Sequence, residues 1–247
     1  MKKENKRIDI LGVSVDVLTA KETVELVKQY VNEKKFLHLM GVNADKILSC
    51  LDNDSMKKIV NSCEVINADG ASVVMASRFL KKELPERVAG IDLMQDLIAD
   101  AEKNDYSVYF LGAKQEVVEK TVTNLLQEYP NLNVVGFRNG YFKESEWKQI
   151  SKELKDTNPS YVFVGITSPI KEYLIEYLKE EGNNSVFMGV GGSFDVISGY
   201  IKRAPLLIQK LNLEWLYRVY QEPVRLFKRY YKGNVRFIKL ILREKRG

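Results

Sequence analysis

The 247-residue chain carries 38 Lys and Arg against 33 Asp and Glu, a net charge of +5, with one His and two Cys. At 45% hydrophobic residues it has enough apolar mass for a buried core, which excludes a disordered chain. Cys50 and Cys63 cannot build a disulfide framework, the lone His38 excludes a histidine-rich metal site, and no run of 18 apolar residues is available to span a bilayer.

The start, MKKENKRIDILG, has no apolar segment of signal type, so a reducing cytosol is the expected location. Ile8–Val15 reads as a strand or a hairpin through Gly12. Thr19 with Glu22 three residues on is a capping box, and it opens a helix whose apolar face is Val24, Leu26, Val27 and Tyr30. Phe36–Val42 is the next strand, and Asn43 opens a helix through Leu51. Alternation then continues: strand Glu64–Asn67, helix Gly70–Leu80, a loop with Pro85 and Arg87, helix Asp92–Lys103, strand Ser107–Gly112 and helix Lys114–Glu128. It runs on through strand Asn133–Phe137, helix Glu144–Leu154, strand Tyr161–Ile166, helix Pro169–Glu180 and strand Ser185–Val190. Apolar strands alternating with helices predict an α/β fold: a Rossmann-like, mostly parallel sheet with helices on both faces. Ligands of such sheets sit at the carboxyl ends of the strands.

Four segments fall at those ends. Asn43, in Gly41-Val42-Asn43-Ala44-Asp45, is a helix cap or an amide for a sugar or uracil edge. Asp69, in Asn67-Ala68-Asp69-Gly70, is either another cap or a general base. Ser168-Pro169, followed by Lys171 and Glu172, reads as a helix start with proline in first position, where free N–H groups favour an anion. Gly189-Val190-Gly191-Gly192-Ser193-Phe194-Asp195 lets backbone approach a nucleotide or diphosphate, or is a tight turn; it has neither the dinucleotide nor the P-loop spacing. Asp52-Asn53-Asp54 reads as a helix stop and a new cap rather than a metal-binding pair, and His38 inside an apolar strand reads as a core histidine.

The charge is uneven. Residues 201–247 hold 13 basic and three acidic residues, a net +10, and residues 1–200 hold 25 basic and 30 acidic, a net −5. Leu216, Tyr217, Tyr220, Val224, Phe227 and Tyr231 recur at helical spacing with Arg218, Arg225, Arg229 and Lys232 beside them. Gly233 and Asn234 then interrupt, before Val235, Ile238, Ile241 and Leu242 resume the pattern. The expectation is an α/β catalytic domain over residues 1–200 and a basic amphipathic helical appendage over 201–247. The appendage suits an anionic membrane surface, a packed terminal helix or RNA.

Four segments together resemble the WecG/TagA/CpsF glycosyltransferase family. They are Ile66-Asn67-Ala68-Asp69-Gly70, Pro85-Glu86-Arg87-Val88-Ala89-Gly90-Ile91-Asp92, the run Gly189–Gly199, and Lys202-Arg203-Ala204-Pro205 leading to Leu213–Arg218. The resemblance implies an inverting, metal-independent enzyme without a cofactor. It implies transfer of a sugar from a UDP-sugar to a polyprenyl-diphosphate-linked sugar, in cell-envelope polysaccharide or teichoic acid synthesis. It also implies a peripheral site on the cytoplasmic membrane face, homo-oligomers through the body and no nucleic-acid partner. Residue by residue it assigns Asp69 as base, Asn43 and Arg87 to the active site, and Arg218 and Arg225 to a diphosphate. Substrate contacts are expected at Gly41, Ser168, Lys171, Gly191, Gly192, Ser193, Asp195 and Arg203. The chain departs from the family pattern at Gly41, where Thr is common, at Ala71-Ser72 within the usual Gly-x-Gly, and at Lys171, where Gln is usual. These are expected donor contacts, so the donor need not be N-acetylmannosamine, and Lys171 would suit an acidic sugar. The rival reading is a non-catalytic nucleotide- or RNA-binding module with a basic arm, although no RNA-binding signature is present. A metal-dependent transferase using Asp52 and Asp54 is the third.

Overall fold

Side chains alternate strictly across the central strands and so build two hydrophobic layers at once. In the computed structural model, which describes residues 5–221 and 223–245 apart from the side chains of 225–230, the chain opens with a hairpin. Its strands are β1 (Arg7–Ile10) and β2 (Val13–Asp16), antiparallel and joined through Leu11 and Gly12 at positive φ. α1 (Ala20–Asn32) starts on the expected capping box of Thr19 and Glu22. There follow β3 (Leu37–Val42), α2 (Ala44–Asp52), α3 (Asp54–Ser62), β4 (Val65–Ala68), α4 (Ala71–Phe79) and α5 (Gly90–Asn104). Next come β5 (Val108–Gly112), α6 (Gln115–Glu128), β6 (Val134–Arg138), α7 (Trp147–Thr157), β7 (Tyr161–Gly165), α8 (Ile170–Glu180), β8 (Val186–Gly189) and α9 (Ser193–Ile197). α10 (Leu206–Lys210), α11 (Glu214–Gln221) and α12 (Pro223–Glu244) complete the described chain.

Six strands form one parallel sheet in the order β4-β3-β8-β7-β5-β6. Leu37 and Leu39 of β3, Phe110 of β5, Phe163 of β7 and Met188 of β8 point to one face, where α1, α5, α6 and α9 cover them. Their neighbours point the other way. Met40 and Val42 meet α2 and α3, while Tyr109, Val162, Val164 and Phe187 meet α7 and α8. The predicted two-sided α/β architecture is therefore the one observed, and it brings the carboxyl ends of β3, β4, β7 and β8 side by side.

Residues 201–247 differ from the expectation in one respect. Gly233 and Asn234 do not interrupt the tail; α12 runs through both. A Cβ at Gly233 would lie 3.0 Å from Asp45 Oδ1 and 3.9 Å from Leu48 Cδ1, so the glycine lets α12 press closely onto α2. Phe237 and Ile241 are then buried with Ile10, Val13, Ile47 and Met56. Glu244 accepts from the Leu11 amide (3.1 Å) and from Lys82 Nζ (2.9 Å). The end of the tail thus shares the core of the body.

Candidate active site

The carboxyl ends of the strands open into one large cleft of about 2310 Å³. Gly41, Asn43, Asp69, Arg87, Ser168, Lys171, Gly191, Gly192, Ser193, Asp195 and Arg218 all line it, although they come from six separate stretches of chain. Asn43 caps α2: its side-chain oxygen accepts from the Lys46 amide at 2.9 Å. The capping role read from sequence is real, and it holds Asn43 where it lines the cleft.

Asp69 follows the last residue of β4. Its backbone N–H donates to the Val42 carbonyl at 2.9 Å, which ties the ends of β3 and β4 together. Its Oδ1 accepts from the Gly90 amide at 3.0 Å, at the start of α5. Asp69 is not the cap of α4; that position is Gly70, which has no side chain to offer. Burial raises the Asp69 carboxyl above the usual carboxylate range, while the Gly90 hydrogen bond and the charges of Arg87 and Arg218 oppose the rise. A carboxylate with a raised pKa in a cleft is a stronger base than a solvated one. The space beside it depends on glycine: a Cβ at Gly41 would lie 3.3 Å from Asp69 Cβ, and one at Gly70 would lie 2.8 Å from Asn43 Cβ.

Arg87 is a bracket between body and tail. Its Nε donates to the Asp69 carbonyl at 2.7 Å, and its Nη2 meets Glu214 Oε2 at 2.9 Å at the start of α11. Glu214 also faces Arg203 Nε at 3.5 Å, and Arg203 Nη2 pairs with Asp92. Arg203 therefore sits beside the cleft, in a smaller hollow with Glu214, Tyr217 and Arg218, and its charge is met by two acids. Arg218 is exposed, lines the cleft and acts electrostatically on Asp69. The side chain of Arg225 lies outside the described residues.

The β8–α9 turn is a donor-rich edge. Gly191 has φ +54°, a conformation that favours glycine. Ser193 is buried, and its hydroxyl donates to the Val190 carbonyl at 2.7 Å, which shapes the turn. Among the described residues neither the Gly191 nor the Gly192 amide donates to a backbone carbonyl. The start of α8 differs from expectation. Pro169 occupies the cap position rather than the first helical one, and the amides of Lys171 and Glu172 turn back to the Thr167 and Pro169 carbonyls. Two of the amides at that start, those of Lys171 and Glu172, are thus engaged within the turn.

Under that turn lies a charge cluster that sequence reasoning missed. Glu172 is fully buried and meets Lys46 Nζ at 2.5 Å and Lys171 Nζ at 3.4 Å. Lys46 also donates to Ser168 Oγ at 2.7 Å. Burial works to raise the Glu172 carboxyl, but the two ammonium groups outweigh it and hold it below its ordinary value. Lys171 moves the other way: burial lowers its pKa against the pull of Glu172. Its stem passes over Gly189, where a Cβ would lie 2.6 Å from Lys171 Cε. Lys171 thus reaches the cleft wall near Asp69, carrying the cluster's second positive charge.

His38 is buried in β3, and burial pushes it down to about 3, so it is neutral at pH 7 and sits in the core as expected. Asn53 caps α3 by accepting from the Met56 amide at 3.0 Å, and Arg236 grips Asp52 with two hydrogen bonds of 2.6 Å. Asp52-Asn53-Asp54 is therefore a stop and a cap, as read. Among the described residues no three His, Cys, Asp or Glu side chains gather where they would hold a metal ion.

Residues 8–247 match the family model described as the Glycosyl transferase WecG/TagA/CpsF family, which is essentially the whole chain.

Proposed function

From the premise that this chain belongs to the WecG/TagA/CpsF glycosyltransferase family, and is a glycosyltransferase rather than a non-catalytic binding module, we propose its reaction. It moves a sugar from a UDP-sugar to a sugar carried on a polyprenyl diphosphate, with inversion at the transferred carbon and without a metal ion. Asp69 takes the proton of the acceptor hydroxyl as that oxygen attacks C1 of the donor sugar. The bond from C1 to the UDP oxygen breaks, and the diphosphate leaves with its charge. The Gly191 and Gly192 amides and Arg218 face that leaving group; donors placed in advance where charge develops favour the transition state. Arginine's planar fork suits phosphate oxygens. Asn43 orients the sugar beside Asp69.

The observation that carries this reading is Asp69 itself: a carboxylate with a raised pKa, anchored by Gly90 at one oxygen, on the wall of a cleft shared with Arg218 and the Gly191-Gly192 edge. Arg87 and Glu214 link that residue to the tail, so closure of α11 over the cleft and competence of the base are one arrangement. We assign the donor as N-acetylmannosamine or a related sugar, with an acidic sugar favoured by the ammonium of Lys171. The basic residues of α11 and α12, and exposed Leu206, Leu207, Leu216 and Tyr220, support docking on the anionic cytoplasmic face of a membrane. No described helix is long and apolar enough to cross one. Assembly of the body into homo-oligomers is part of the same reading.

The test is transfer itself. The protein is incubated with a panel of UDP-sugars and a short-chain lipid-diphosphate sugar acceptor, and product is detected by mass. Addition of one hexose-class unit from one donor, in the presence of EDTA, is expected. A panel that yields no product with any donor would remove the proposal.

A further inference from the structure

The cleft is divided into unlike halves. Around Asp69, Lys171 and Arg218 it is polar and charged. Along α4 and the last turns of α12, hydrocarbon side chains join the lining. Met75 and Phe79, one turn apart on α4, and Ile238 and Leu242, one turn apart on α12, line the same cleft and stay 70%, 40%, 56% and 43% exposed. Such pairs at i and i+4 form a continuous stripe on each helix.

This exposure is not what remains of a helix that found no partner. α12 already buries a different stripe, Phe237 and Ile241, in the core, so its Ile238–Leu242 face is a second apolar face kept open. The two helices are tied at their far ends: Lys245 Nζ lies 3.5 Å from the Phe79 ring centroid, and Lys82 meets Glu244. α4 begins directly after Asp69 and Gly70. Its nine residues, at 1.5 Å each, carry the groove about 13 Å from the carboxylate.

We propose that this groove between α4 and α12 holds the hydrocarbon chain of the acceptor, so that its diphosphate lies toward Arg218 and its sugar hydroxyl reaches Asp69. The inference rests on the lipid-linked acceptor proposed above and adds where its chain runs. One amphiphile matches both halves of the cleft: an anionic head for the cationic end, a hydrocarbon for the apolar end. A groove beside the base shields the first part of such a chain from water. Apolar area removed from water stabilises by roughly 25 cal/mol per Å².

The test compares farnesyl diphosphate with inorganic diphosphate, by calorimetry on the full chain with UDP present, in detergent-free buffer below the probe's aggregation concentration. The wild type should bind farnesyl diphosphate at least about tenfold more tightly. A triple variant, Met75→Gln, Ile238→Asn and Leu242→Asn, should bind the two equally while keeping its UDP affinity and melting temperature. A second variant, Leu206→Asn with Leu207→Asn, changes exposed leucines outside the cleft and should keep the preference. The proposal is overturned if the chain adds no affinity, if the triple variant retains the preference, or if the Leu206 and Leu207 variant loses it equally, which would mean a general acyl-binding surface. Chain-dependent binding with no transfer to any lipid-linked sugar would remove the transferase reading and leave the groove standing.

Discussion

Replacing Glu172 by Gln takes a fully buried carboxylate from between two ammonium groups, Lys46 at 2.5 Å and Lys171 at 3.4 Å. The amide keeps the shape and loses the charge. Breaking a buried ion pair from one side typically costs about 3–5 kcal/mol, because the remaining charge stays desolvated. In a domain of ordinary stability, about 5–15 kcal/mol, that is a large share. It corresponds to a fall in melting temperature of about 6–20 °C. The pH dependence gives the mechanism away. In the wild type Glu172 is held below its ordinary pKa, so its stabilisation is present above the unfolded carboxylate value and lost only as pH falls through the lower folded one. In the variant the dominant group is Lys171. The pKa of Lys171 is already lowered by burial, and removing Glu172 lowers it further. The unfolded chain then binds more protons than the folded one, so the variant should regain stability as pH rises through the alkaline range. Chemical denaturation across pH, combined with a double-mutant cycle using Lys46→Met, reads this directly. The double variant should lose clearly less than the sum of the singles. A Glu172→Gln loss below about 1 kcal/mol, or strict additivity with Lys46→Met, would refute the reasoning.

The end of α12 shares the core, so Phe237→Ala should destabilise the whole protein by about 3–5 kcal/mol and Ile241→Ala by about 2–5, measured by denaturation of the full chain; unchanged stability would show that α12 is a detachable appendage. Replacing Asp52 and Asp54 together with Asn should leave turnover in EDTA within about threefold of wild type. Arg236 and Asp52 are both exposed, and an exposed pair contributes little, about 0–1 kcal/mol. A collapse of activity that added divalent metal restores in the wild type would point to the metal-dependent mechanism.

Much of this was legible in the chain. The alternation of apolar strands with capped helices gave the layers and placed Asn43, Asp69, Ser168 and Gly191 at strand ends, because parallel sheets gather those ends on one edge. Boundaries moved by a residue or two where a cap decides them, as at Asn53 and Pro169. Gly233 was misread as a break because a glycine inside a helical pattern signals either a stop or a close approach, and only the position of α2 distinguishes them. Lys46 and Glu172 stand 126 residues apart. Each reads as an ordinary charge on an amphipathic helix, and only the strand order β3-β8-β7 brings α2 and α8 together. Arg87 was found, but not its joint hold on Asp69 and Glu214, which depends on where the tail folds back.

The central claim is that Asp69 is the general base. Single-turnover transfer by Asp69→Asn tests it most directly, with UDP affinity and melting temperature measured on the same protein. General base assistance is worth about 10²–10⁴-fold, so the rate should fall by that factor with UDP binding intact. Stability should not fall. The raised pKa means that the ionised carboxylate disfavours the fold at neutral pH, since such a group stabilises below its unfolded pKa and loses that as pH rises, and the amide relieves this while its oxygen still accepts from Gly90. A transfer rate within about threefold of wild type would contradict the account.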